Sequence, residues 1–514
     1  MKMKKEIKKF MIVTPRAVSP AGTLPRIHPP LGAISVLAEA KRAGYQVALF
    51  DVAAEGLKKS LFDPKYNPVE EEILDGVRYW KTGLRMKEAA EKIAELEPDA
   101  IGISCCTVVD RGETARIAKT LKQAFPEIPL ILGGHEASQW FREILGETIY
   151  SIDVIPEIDY VVVGPGQPVI VPLLRYLSDP NSNPLPLGVA YRRKGGHVIY
   201  TGETPFDPNK FALPDYSLLP SLYLPNRQKP IDIYSYIGNP HAGHISVFLR
   251  TSKKSISYLP IFTSYGCGFN CSFCDTDKRL RRYNIVNVIK VIEEFEELYG
   301  IDYIDFMDNN FGGGDNTSRE IAFGILKEIK ARGYQIGFSN GLTFESMMRE
   351  DFRLLLQFAK NGNVRHIAFP VENGNDRVLR MIRKPHNLQM VRKTLEFAKK
   401  ELYDTNREGF FIGGFPETNG QPAETPEELE QTYRFIKECL EKEWLNQAIF
   451  LTLSPVTREY RMMWRRLHPE APFEHCLFSR NTKIWPYPNE LLEEMHRRVE
   501  ILNRELGREI TRKL

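Results

Sequence analysis

Between about residues 258 and 455 the sequence repeats one unit six times: a short apolar run rich in β-branched and aromatic residues, a loop, then an amphipathic helical stretch. The runs are YLPIFTS, DYIDFM, YQIGFS, RHIAFPV, REGFFIGG and QAIFLTLSP, with helical patterns at 284–299, 317–332, 349–361, 387–402 and 425–442 between them. Strands joined by helix-length crossovers pair in parallel, since a hairpin turn is what reverses direction. The pattern implies a (β/α)6 partial TIM barrel with functional groups on the loops that follow each strand.

A less regular alternation fills residues 8–175. KKFMIVTP, YQVALFDV, DAIGISCCTVV, IPLILGGHEAS and IDYVVVGPGQ read as five strands. The helices between them include one from Leu31 closed by Gly44 and one stopped by Pro98. Residues 55–85 read as irregular and polar. This is a Rossmann-like doubly wound parallel sheet, with its ligand expected beyond the carboxyl ends of the strands. GVAYRRKGGHVIY reads as a hairpin, and the Pro- and Tyr-rich stretch up to 258 as a linker. The expected fold class is α/β: a Rossmann-like domain at 1–180, hairpin and linker at 181–257, the partial barrel at 258–455, and a mainly helical C-terminal region at 456–514.

Composition narrows the partners. A formal charge of +3 on 514 residues gives no basis for nucleic-acid or membrane binding. The basic start MKMKKEIKKFMIVTP breaks at Pro15, too soon for a secretory signal, and no apolar run reaches the ~18–20 residues of a membrane span. The expected location is the cytoplasm. Seven cysteines, two of them adjacent at 105 and 106, do not form a secreted disulfide pattern.

Three of those cysteines, Cys267, Cys271 and Cys274, share the loop after the first barrel strand. Three thiolates fall one ligand short of a closed zinc site, whereas an iron–sulfur cube on three thiolates keeps one iron open to an incoming ligand. Zinc completed by a distant histidine is the competing reading. The spacing, with Phe273 just before the last cysteine, resembles the radical S-adenosylmethionine (SAM) superfamily. FMDNNF (306–311), FPVENG (369–374) and FIGGFPET (411–418) are similar to its later elements. The resemblance implies a [4Fe-4S] cluster on the three cysteines with SAM at its open iron. It makes Phe273, Asp308, Asn309, Asn340, Glu372, Asn373, Gly413, Gly414 and Ser454 candidate SAM contacts. Each has a plainer role open to it: Asp308 and Asn309 as helix caps, Glu372 as the partner of Arg365 or Arg377, and Gly413-Gly414 as a turn. The run Lys278-Arg-Leu-Arg-Arg282 reads as a solvated lead into a helix, with phosphate binding as the lesser alternative.

No G-x-G-x-x-G follows the first N-terminal strand; the loop there is the long TPRAVSPAGTLPRIHPPLG, unsuited to a dinucleotide. The ordered set HPPLG, PDAIGIS, LILGGHEAS and YVVVGPGQ instead resembles the cobalamin-binding domain of B12-dependent radical SAM enzymes. The resemblance implies cobalamin contacts at Pro30, Leu31, Gly32, Ser104, Thr107, Gly133, Gly134, His135, Glu136, Ser138, Gly164, Gly166 and Gln167. The D-x-H-x-x-G motif that supplies a lower cobalt ligand is absent, and His28 and His135 are read as structural.

Taken together, the resemblance implies a methyltransferase that moves a methyl group from methylcobalamin to an unactivated carbon, or a phosphinate phosphorus, of a small molecule by way of a 5′-deoxyadenosyl radical. A flavodoxin- or ferredoxin-like protein is the expected electron donor. The catalysis is assigned to the cofactors, so no protein acid or base is singled out. A cobalamin-dependent cyclase or ring-rearranging enzyme is the alternative, and a non-catalytic cobalamin sensor the alternative from another class. A methylthiotransferase would need three N-terminal cysteines where this chain has the pair 105 and 106. Tyr223, Trp464 and Trp485 are possible pocket residues, with core packing the commoner role for such side chains.

Overall fold

The computed structural model describes residues 6–22, 27–224, 227–237, 257–347, 352–360, 362–417, 419–476 and 489–507. The chain divides into two compact units, Met1–Pro240 with Pro469–Glu474, and His241–His468 with His475–Leu514.

In the first unit five parallel strands lie in the order Tyr160–Val162, Leu130–Gly133, Ala100–Ser104, Lys9–Thr14, Gln46–Asp51. Lys9–Thr14 lies inside the sheet, between Ala100–Ser104 and Gln46–Asp51, and is buried along nearly its whole length, as its continuous apolar run requires. The chain order reverses between Lys9–Thr14 and Ala100–Ser104, so the crevice beyond their carboxyl ends is the ligand position for such a sheet. The helix Leu31–Arg42 packs Ile34, Leu37 and Ala40, all fully buried, toward the sheet.

Two expectations are corrected here. The sheet has seven strands, not five: the expected hairpin, Val189–Arg192 and Val198–Tyr200, pairs antiparallel with Tyr160–Val162 and extends it. Residues 55–85 are ordered too. They complete the helix Val52–Phe62 and form the hairpin Val69–Leu74 and Val77–Thr82, which pairs with Ala17–Pro20 in a separate three-stranded sheet.

In the second unit six strands, Tyr258–Ile261, Tyr303–Phe306, Gln335–Phe338, Val364–Glu372, Asn406–Gly413 and Gln447–Thr452, are all parallel and in sequence order. Among the described residues the first and last strands do not pair, which makes a partial barrel. Its helices start at side-chain caps that satisfy the free N–H groups of the first turn: Asn284, Asp315 and Asn387 each accept one, and Thr425 forms a capping box with Glu428. The edge strand Gln447–Thr452 is covered by the C-terminal helix Asn489–Leu506. Asn503 accepts from Ala448 N–H (2.9 Å) and donates to Ala448 O (2.7 Å), standing in for a strand partner. Trp464 is buried on the helix Arg458–Leu467, Tyr223 is exposed, and Trp485 lies outside the described residues.

Candidate functional site

The cysteine loop closes on a short stem in which Ser264–Tyr265 pairs antiparallel with Arg281–Arg282. Gly266 has φ +79°, and a Cβ there would lie 2.2 Å from Arg279 O, so only glycine lets the stem close. Cys267 N–H donates to Asp277 O (2.9 Å), Asn310 Nδ2 donates to Cys267 O (2.7 Å), and Ser272 N–H donates to Ile382 O (3.0 Å). The loop is thus held from three sides.

All three cysteines are free thiols; Cys271 is buried, and Cys267 and Cys274 are half-buried. Burial pushes the Cys267 and Cys271 thiols up, their neighbouring thiols add to this, and the Lys384 ammonium works in the other direction. Three free thiols in one loop fall one ligand short of a closed zinc site and suit an iron–sulfur cluster that keeps one iron open. Among the described residues the trio of candidate ligand atoms within 4.8 Å of one another is Glu72, Glu113 and Glu474. The carboxylate trio, for its part, is centred on the ammonium of the fully buried Lys81.

The basic run divides: Lys278 and Arg279 are exposed, as a solvated lead would be, while Arg282 turns into the protein. Arg282 is buried and donates to Asn310 O (3.1 Å), Phe311 O and Gly313 O (3.0 Å), Lys278 donates to Cys274 O (2.9 Å), and Arg281 pairs with Asp277 (3.0 Å).

The SAM candidates separate into two groups. Asp308 is buried and accepts from Thr263 N–H, Thr263 Oγ1 (2.8 Å) and Ser264 Oγ, and the cap of the next helix is Asp315. Asn373 is buried, donating to Glu424 (2.7 Å) and Ile412 O (3.2 Å); Ser454 donates to Cys476 O (3.0 Å). Gly414 N–H donates to Glu424 (2.7 Å), and a Cβ on Gly413 would lie 2.5 Å from the Phe450 ring, so this pair serves packing and a turn. These five are occupied within the protein. Asn309 and Asn340 are exposed, with Asn340 Nδ2 donating to Met307 O (2.5 Å) and Asn309 O 3.8 Å from Cys267 Sγ. Phe273 meets Phe415 edge-on at 6.1 Å. Glu372 is in an ion pair, with Lys384 (3.0 Å) and not with Arg365 or Arg377; Arg377 pairs with Glu428.

In the first unit the cobalamin candidates gather at the carboxyl ends of the parallel strands. A Cβ on Gly32, Gly133 or Gly164 would meet nothing within 4 Å, so open space lies at these positions. Gly134, at φ +110°, passes so close to Cys105 that a Cβ would sit 2.3 Å from its carbonyl oxygen. Ser138 ties two of the loops together by donating to Gly134 O (2.8 Å) and accepting from Gly164 N–H (3.0 Å). Ser104 Oγ lies 3.3 Å from Cys106 Sγ, and Thr107 N–H donates to Asp110 (2.8 Å). Cys106 is exposed and Asp110 half-buried, and the surrounding protein pushes the thiol and the carboxyl up. His28 and His135 are exposed; Pro30 and Leu31 begin the helix Leu31–Arg42. Two candidates do not face the crevice freely: Glu136 is buried against Arg111 (3.4 Å), and Gln167 is buried at the start of its helix. A Cβ on Gly166 would lie 2.7 Å from Val36, so it serves helix packing. Open backbone at Gly32, Gly133 and Gly164, beyond the carboxyl ends of the parallel strands, would let a cofactor approach closely there.

Sequence reasoning missed Lys384, Arg282 as a structural hub, and Asp110. Only Asp110 carried a local signal, as a short acidic side chain at the start of a helix.

Family models match this chain twice, the Radical SAM superfamily over residues 261–436 and the B12 binding domain over residues 20–173. Cytidylyl-2-hydroxyethylphosphonate methyltransferase of Streptomyces wedmorensis is 25% identical over 469 residues, covering 87% of this chain and 80% of its own. An uncharacterized methyltransferase of Pyrococcus horikoshii, PH0819, is 25% identical over 373 residues, covering 71% and 69%. Among solved structures, the radical SAM methyltransferase TsrM from Kitasatospora setae, with cobalamin and a [4Fe-4S] cluster bound, has the same fold with a TM-score of 0.59 at 15% identity over 90% of this chain and 78% of its own. The cobalamin-dependent SAM radical enzyme OxsB matches at 0.59 and 13% identity over 97% of this chain, which spans 61% of OxsB. No helix among the described residues is long and apolar enough to cross a membrane. With a B12 binding domain followed by a radical SAM domain, this chain is an enzyme whose cofactors are cobalamin, a [4Fe-4S] cluster and SAM, and it is similar to the cobalamin-dependent radical SAM methyltransferases.

Proposed function

We propose that the enzyme methylates an unactivated carbon, or a phosphinate phosphorus, of a small molecule. The observation that carries this reading is a loop of three free thiols in the second unit, together with open backbone at Gly32, Gly133 and Gly164 by the strand ends of the first. When bound, the cofactors supply the methyl group and the radical chemistry. The chain's own groups hold and orient them. Cys267, Cys271 and Cys274 bind the cluster as thiolates; Arg282, Asp308 and Asn310 fix the loop that carries them. Phe273, Asn309, Asn340 and Glu372 are the residues left to meet SAM. Ser104, Thr107, Gly133, Gly134, Ser138 and Gly164 line the cobalamin crevice. Residues 1–180 serve as the cobalamin domain and 258–455 as the catalytic barrel.

The relative named for a cytidylyl phosphonate makes a phosphorus-bearing small molecule the first substrate class to test. We place the enzyme in the cytoplasm, served by a flavodoxin- or ferredoxin-like electron donor and acting on no nucleic acid. The test is anaerobic reconstitution with iron, sulfide and hydroxocobalamin, followed by turnover with SAM and candidate phosphonates. Equal release of S-adenosylhomocysteine and 5′-deoxyadenosine supports methyl transfer. Deoxyadenosine without S-adenosylhomocysteine refutes it and points to a rearrangement. Alanine at all three cysteines abolishes the iron absorption and both products.

A further inference from the structure

We propose that Lys384, paired with Glu372, is a positioning residue that sets how readily the centre held by Cys267, Cys271 and Cys274 accepts an electron. The inference rests on the cluster assignment above. Its geometry is built at some cost. Glu372 (φ +67°) and Arg383 (φ +58°) are two of only five non-glycine residues with positive φ among the described residues, a conformation unfavourable for any residue with a Cβ. The strand Val364–Glu372 slips register between Pro370 and Glu372, and its left-handed last residue joins the pair. The left-handed Arg383, just past the helix Asp376–Met381, sends Lys384 to the same place, with Lys384 N–H bonded to Leu379 O (2.9 Å). Both elements converge on the cysteine loop. Ser272 N–H donates to Ile382 O (3.0 Å), and Lys384 Nζ lies 3.0 Å from Glu372 Oε1 and 5.9 Å from the centre of the Phe273 ring, between Cys271 and Cys274 in sequence.

A buried ion pair adds little to stability over an apolar pair of the same size, so stability alone does not account for two left-handed residues spent on this one. The surroundings give a reason. Three thiolates bring three negative charges to a site of low dielectric, and taking up one electron adds another. A cation held nearby lowers the cost of that electron, and a carboxylate raises it. Of the pair it is the lysine that lies over the Phe273 ring of the cysteine loop, so the pair turns its positive end to the thiols. Lys384 keeps its proton throughout; the electron comes from an external one-electron reductant.

The experiment is a redox titration of the reconstituted enzyme with dithionite, followed by electron paramagnetic resonance, on wild type, Lys384→Met, Lys384→Arg and Glu372→Gln, with iron per chain measured for each. At a fixed potential Lys384→Met lowers the reduced-to-oxidised ratio about tenfold, a shift of ~59 mV for a one-electron couple. Glu372→Gln raises the ratio, and Lys384→Arg stays near wild type. Should Lys384→Met fail to load iron, Glu372→Gln decides alone: an upward shift supports the role and an unmoved potential overturns it. A loaded Lys384→Met with unchanged potential and weakened SAM binding also overturns it, making the lysine a ligand anchor. A wild-type protein with no cluster signal overturns this inference together with the assignment beneath it.

Discussion

Changing Asp308 to asparagine separates a carboxylate that holds the cysteine strand from one that meets SAM. Asp308 accepts from Thr263 N–H (3.1 Å to each oxygen), Thr263 Oγ1 (2.8 Å) and Ser264 Oγ, and Arg282 favours its charged form against the burial that disfavours it. A hydrogen bond to a charged group contributes ~1.5–3 kcal/mol and one between neutral groups ~0.5–1.5 kcal/mol. Neutralising the acceptor therefore costs about 1 kcal/mol at each of three donors. The sum is about 3 kcal/mol, or roughly two decades in the equilibrium for local opening. Hydrogen exchange reads this directly: amides in 263–267 of Asp308→Asn lose about a hundredfold in protection, and the reconstituted variant sheds iron faster under a chelator. Protection and iron retention equal to wild type, with SAM affinity alone reduced, would refute the structural role and return Asp308 to the ligand.

Adjacent glycines at the cobalamin crevice make opposite predictions. Gly133→Ala meets nothing within 4 Å, so the variant melts like wild type but binds hydroxocobalamin about tenfold more weakly by absorbance titration; unchanged affinity means the crevice is not the cofactor site. Gly134→Ala, with φ +110° and the Cys105 carbonyl 2.3 Å away, destabilises the first unit itself, seen as early loss of structure on heating. For Glu424, burial pushes the carboxyl up from 4.5 to about 7, so between these values the folded chain binds more protons than the unfolded one and stability falls as pH rises. The loss across that window is about 3 kcal/mol, and it is absent from Glu424→Gln. Urea midpoints for the second unit at pH 5 and pH 8 check this, and equal slopes in both proteins count against it.

What the sequence disclosed follows from how far apart the deciding residues lie. The barrel was readable because each strand and each helix announces itself within a dozen residues, and parallel order follows from the connections. The cysteine triad was readable for the same reason. The hairpin at 69–82 was missed although its signal was local: VEEEIL carries too many carboxylates for a core strand, yet Asp75-Gly76, both at positive φ, joins Leu74 to Val77 in the two-residue turn that marks a hairpin. The site's supports were unreadable for a different reason. Whether a carboxylate at a strand end faces ligand or protein depends on one residue of register, and a single slip turns the side chain over. Glu372 sits beyond such a slip, and its partner Lys384 lies across a turn that no hydrophobic period describes. Arg282 looked solvated within a run of cations, but pairing with Ser264 in the stem fixes it as the inward residue while Arg281 turns to Asp277. A charged residue therefore takes its role from a partner that local pattern does not reveal: Lys384 lies 12 residues from Glu372, and Asp308 lies 45 from Thr263.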